Sequence, residues 1–138
     1  MQIKIVEKFP PNYKEIEKTF DLSDKKPVFT YGDTIFNPHK VDIVDHLMEH
    51  EMVHMRQQAL VGVDNWWSKY LINAEFRLEQ EIEAYSWQYE FVKRQGHLYK
   101  TLDAFLDQLA SLLSGKMYNN LLDFGKAKSK IRNFYVKR

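Results

Sequence analysis

The stretch His46-Leu47-Met48-Glu49-His50-Glu51-Met52-Val53-His54 decides how this chain is read. Its three histidines stand four residues apart. A step of four advances only about 40° around a helix, so all three share one side if the segment is helical. His50 and His54 then lie one turn apart and their imidazoles reach a common point, as an i, i+4 histidine pair does when it holds a metal ion. Glu51 projects beside that point and can reach a water there without ligating the ion, the position of a general base.

The segment can be read in two registers. His50-Glu51-Met52-Val53-His54 is H-E-x-x-H, with Glu51 as base. His46-Leu47-Met48-Glu49-His50 is the inverted H-x-x-E-H, with Glu49 as base. The inverted motif expects a carboxylate far downstream, and no Glu follows Glu90. The forward register is therefore preferred, with His46 packing nearby or joining a network behind the ligands.

Working outward, residues 2–6 alternate as a short strand and Pro11–Phe20 reads as an amphipathic helix opened by proline. Val28–Tyr31 and Thr34–Phe36 flank Gly32-Asp33 as a hairpin. A helix capped at Asp42 or a neighbour is expected to run to about Leu60 and stop at Gly62. Residues 64–67 read as a connection whose Trp66 and Trp67 cap the core. A second long helix spans about Ala74–Arg94. A third, capped by Thr101 and closed by Gly115, turns Leu102, Phe105, Leu106, Leu109, Leu112 and Leu113 inward. Ala127, Ile131 and Phe134 suggest a terminal helix. Met48, Met52 and Met55 read as core packing. The expected fold class is α+β: a small N-terminal sheet followed by helices, in one domain over residues 1–138.

Composition narrows the chemistry. The 138 residues include no cysteine, so a metal would need His, Asp, Glu or water. The net charge of +1 gives no global case for nucleic acid. The tail basic residues Lys126, Lys128, Lys130, Arg132, Lys137 and Arg138 read as a solvated helix face, with Phe134 and Tyr135 docking it. No apolar run is long enough for a signal peptide or a membrane span, so a cytoplasmic location is expected. Three protein ligands and an open position define a catalytic zinc site. Candidates for the third ligand are Glu75, Glu79, Glu81, Glu83 and Glu90, any of which could instead belong to a solvated face pairing with Arg77.

His50–His54 followed about 25 residues later by Glu81-Ile82-Glu83-Ala84 resembles the gluzincin pattern HExxH…ExEA. That pattern occurs in small single-domain zincins, including short metallopeptidases encoded by phages and bacteria. The run is also similar to the E-x-x-A-D signature of CAAX-processing peptidases, with Tyr85 where that signature has Asp. The hairpin ending Thr34-Ile35-Phe36-Asn37-Pro38 resembles the edge strand before the active-site helix, and Met55-Arg56-Gln57-Gln58 the polar continuation of that helix. The resemblance covers about residues 28–90. It implies a zincin-like fold in which His50, His54 and Glu81 hold Zn²⁺, with Glu83 and then Glu79 as alternatives to Glu81. Glu51 would be the base for hydrolysis of a peptide or protein substrate, added as a strand near Thr34–Phe36. Tyr31, Tyr70, Tyr85, Tyr89 and His97 are candidates to stabilise the oxyanion. The alternative is a non-catalytic binding or structural protein, phage-associated, on the same scaffold.

Overall fold

The computed structural model describes residues 2–134. Tyr135, Lys137 and Arg138, part of the expected basic tail, lie outside the described residues. Among the described residues, six α-helices and three short strands form a mixed α+β fold that is mostly helical.

β1 (Lys4–Val6) is followed by α1 (Tyr13–Thr19), and the hairpin β2 (Phe29–Tyr31) and β3 (Thr34–Phe36) comes next. Gly32 takes φ +66° in the turn, a conformation that costs a side-chain-bearing residue strain. The sheet order is β1-β3-β2, with β1 parallel and β2 antiparallel to β3. Thr34–Phe36 is thus the middle strand. Both its edges are filled, which overturns the expectation that a substrate strand adds there. Asn37 then ties the descending chain to Val41 through both amide atoms, at 2.9 and 3.1 Å.

α2 spans Asp45–Val61, starting later than Asp42 and ending at Gly62 with φ 92°. Residues 64–67 are not a connection: they lie in α3 (Val63–Ile72). Trp66, Trp67 and Tyr70 come to one side of that helix and are all buried. α4 (Ala74–Lys93) is capped by the Asn73 side chain, which accepts from the Phe76 N–H. α5 (Tyr99–Leu113) starts without a side-chain cap, so Thr101 lies inside its first turn. Leu112, expected inside, is 55% exposed. A 3-10 turn at Lys116–Tyr118 leads to α6 (Phe124–Asn133), capped by Asp123. Lys128 of α6 pairs with Asp103 and Asp107 of α5. Among the described residues, no helix is long and apolar enough to cross a membrane.

Two apolar clusters result. One joins α4, α5 and α6 through Leu78, Tyr85, Tyr89, Leu106, Leu109 and Ile131. The other joins α1, the hairpin and α3 through Ile16, Phe20, Phe29, Phe36, Trp66 and Tyr70. Each large side chain so buried contributes about 1.5–3 kcal/mol. Of the three helix methionines only Met55 is buried in the core. Arg77, expected at most as a surface partner of Glu81, is 4% exposed. Its guanidinium donates to the carbonyls of Tyr70, Leu71 and Met117 and lies over the Phe20 ring, so it clamps the α3–α4 junction to the 3-10 turn.

Candidate metal centre

α2 is an unusual interior helix, because most of what it buries is polar. His50, His54 and Gln57 form one stripe facing α4. Glu51, Met55 and Gln58 form the next, facing β2. Buried polar groups cost free energy unless each finds a partner, and each of these does.

His50 Nε2 and His54 Nε2 both lie 3.0 Å from Glu81 Oε1, and 3.2 Å from each other. All three residues are 5–6% exposed. The Nδ1 atoms face away from this point. His54 Nδ1 meets Gln57 Oε1 at 2.8 Å and His50 Nδ1 meets Gln88 Oε1 at 2.9 Å. The Gln57 orientation is forced, since its Nε2 faces two acceptors, Gln80 O and Glu83 Oε1. Gln57 Oε1 must therefore accept, and His54 Nδ1 must carry the proton. With Gln88 Oε1 facing His50 Nδ1 and its Nε2 facing His46 Nδ1, the second Nε2 lone pair also turns inward. Two imidazole lone pairs and a carboxylate oxygen then converge with no donor among them. Such a cluster requires a positive charge. Ligands of a tetrahedral zinc ion, at about 2.0–2.1 Å from the metal, lie about 3.3 Å apart. The observed separations come within a few tenths of that, so His50, His54 and Glu81 can hold a metal ion.

Protonation answers the same demand. Burial opposes the His54 imidazolium, but the Glu81 carboxylate, with Glu51 and Gln57 adding, outweighs it and raises His54 to about 9. Burial likewise opposes the Glu81 anion, and His54 and His50 overcome it and hold that carboxyl well below its ordinary range. The second Glu81 oxygen accepts from the Tyr70 hydroxyl at 2.5 Å, so the carboxylate is pinned at both ends.

Glu51 is also buried. Its Oε1 accepts from Thr30 Oγ1 at 2.8 Å, and its Oε2 lies 4.0 Å from His50 Nε2. It sits beside the three converging groups without belonging to them. A cavity of about 310 Å³ reaches all four residues and is otherwise walled mainly by apolar side chains.

The remaining sequence candidates fall elsewhere. Glu83 serves Gln57, and Glu79 lies on the surface. His46 joins the hydrogen-bond network through Gln88 Nε2, at 2.8 Å. Of the oxyanion candidates, Tyr70 and Tyr85 line the cavity, whereas Tyr31 bonds Asp64, His97 is exposed, and Tyr89 lies in the α4–α5–α6 cluster. Tyr85 packs edge-on to His50, at 4.6 Å between ring centroids, and its hydroxyl meets that of Tyr118. Sequence reasoning did not find Thr30, Gln57, Gln58, Gln88 or Tyr118. The helical step from His50 through His54 to Gln57 was the available signal for Gln57.

No family model, curated protein or solved structure matches the chain.

Proposed function

We propose that this protein is a zinc-dependent peptidase with a zincin-like active site. The observation that carries the reading is the convergence of His50 Nε2, His54 Nε2 and Glu81 Oε1 within 3.0–3.2 Å, in the wall of a cavity that also holds the unligated Glu51. A zinc ion held by these three residues supplies Lewis acidity, which lowers the pKa of water toward about 7 and polarises a substrate carbonyl. The protein's own part begins with Glu51. Thr30 occupies its Oε1, leaving Oε2 to take the proton from the attacking water and return it to the leaving amine. Gln57 and Gln88 fix the histidine tautomers, and Tyr70 fixes the rotamer of Glu81. The apolar walls exclude water from the reacting groups.

A second reading keeps the metal for stability in a non-catalytic binding protein. Near-complete burial of the three ligands favours it. The cavity reaching them and a base left free beside them favour catalysis. Metal analysis after zinc-replete purification is expected to give about one zinc per chain, lost in His54→Ala. Glu51→Gln discriminates the two readings: it keeps zinc and abolishes peptide hydrolysis in a peptidase. Absence of stoichiometric metal would sink both.

A further inference from the structure

The strand beside the site has only half an edge to offer. In the two-residue hairpin, Phe29 and Tyr31 bond to β3, so the peptide groups of Thr30 turn outward. Beyond Thr30 that outer edge is already filled. Gln58, 0% exposed, donates Nε2 to Thr30 O at 2.8 Å and accepts from the Gly32 N–H at 2.7 Å. Its side-chain amide stands where the peptide group of a neighbouring strand would stand. The Trp67 indole N–H adds a second bond to Thr30 O at 3.0 Å. A strand running past Glu51 in this direction is blocked.

Upstream the opposite holds. The Thr30 N–H turns outward by the same alternation, and Val28, Pro27, Lys26 and Lys25 line the cavity leading to the ligands. Lys25 and Lys26 are exposed. Among the described residues no carboxylate lies within ion-pair distance of either ammonium, although Lys25 feels the field of Asp21. Among the described residues, the carboxylates lining the cavity are Glu51 and Glu81. Phe20, Leu22, Val41, Leu47, Leu112 and Met117 supply apolar wall.

We infer that the cavity takes a short peptide from one side only, laid along Val28 and Thr30, with a large apolar residue at the ligands and a carboxylate answered by Lys25 and Lys26. The inference rests on the peptide-bond reading of the site. Thr30, in β2, and Lys26, upstream of it, are four residues apart, at most about 13 Å of extended chain, which places the carboxylate three to four residues from the reacting bond.

Binding tests this without turnover. Zinc-loaded Glu51→Gln protein, with metal-free wild-type protein as a second uncleaving sample, is titrated calorimetrically with blocked pentapeptides. Each carries one leucine and, three residues before or after it, Asp, Asn or Lys. An Asn peptide with a free C-terminus separates a terminal from a side-chain carboxylate. The Asp peptide is expected to bind about tenfold tighter than the Lys peptide, and the order is expected to reverse in K25E/K26E. Lengthening beyond the leucine on the side away from the charge is expected to change affinity less than about twofold. The inference is overturned if no peptide binds, if the charge series is flat, if K25E/K26E leaves it unchanged, or if that lengthening tightens binding tenfold. The peptidase reading fails separately, when a peptide binds as described and the zinc-loaded wild-type protein leaves it intact.

Discussion

Raising the pH of the metal-free protein is expected to weaken it, against the usual trend for a chain stabilised by paired carboxylates. His54 is lifted from an ordinary 6.5 to about 9, chiefly against burial and by Glu81. A group with a raised folded value adds stability that is complete below its unfolded value and is lost as pH climbs through the folded one. The window is therefore about 6.5 to 9. The full contribution is about 3 kcal/mol, counted once for the His54–Glu81 pair. At a urea dependence of about 1.5 kcal/mol per molar, the unfolding midpoint should fall by about 2 M across that window. The assay is urea unfolding followed by tryptophan fluorescence, in chelator, at intervals from pH 6 to 9.5. Zinc should exchange with the same proton, so its affinity should rise about tenfold per pH unit up to about pH 9. A midpoint that stays level or rises from pH 6.5 to 9 would refute the account of three inward-facing acceptors.

Tyr70→Phe removes the hydroxyl that holds the second oxygen of Glu81. Zinc affinity, measured by competition with a chromophoric chelator, should fall about 10- to 100-fold with the fold intact by circular dichroism; a change under threefold would show that Tyr70 does not orient the ligand. Thr30→Val frees Glu51 Oε1 from the Thr30 hydroxyl while keeping the branched shape. It should retain zinc and reduce kcat about tenfold or more with little change in KM, and unchanged kcat would remove Thr30 from the positioning of Glu51.

The helical half of the fold was legible because it repeats. The i, i+4 histidines, the apolar stripe of α5 and the glycine stops at Gly62 and Gly115 are local signals, and they set α2, α4 and α5 nearly in place. Glu81 came from its spacing to the histidines within a resemblance, and the structure brings it, not Glu83, between them. α3 was missed because two adjacent tryptophans beside Asp64 and Asn65 look like a connection. They turn inward only because the hairpin and α1 supply a surface to bury them. Strand order was hidden for a similar reason, since β1 reaches β3 across about 30 intervening residues and no local pattern encodes that pairing. Gln57, Gln58 and Gln88 have the composition of a solvated face. Their roles exist only once α4 and the hairpin pack against α2 and strip away water.

The Gln58 amide has a consequence beyond the site. An open strand edge is a template on which another chain can nucleate, and small sheets usually guard such edges with charge, proline or a twist. Here β2 is an outermost strand, and Gln58 with Trp67 fills its hydrogen-bonding positions at Thr30 O and Gly32 N from within the same molecule. The guard is a neutral, fully buried side chain, so neither salt nor pH can titrate it away. The half of that edge beyond Thr30 is thereby withheld from self-association.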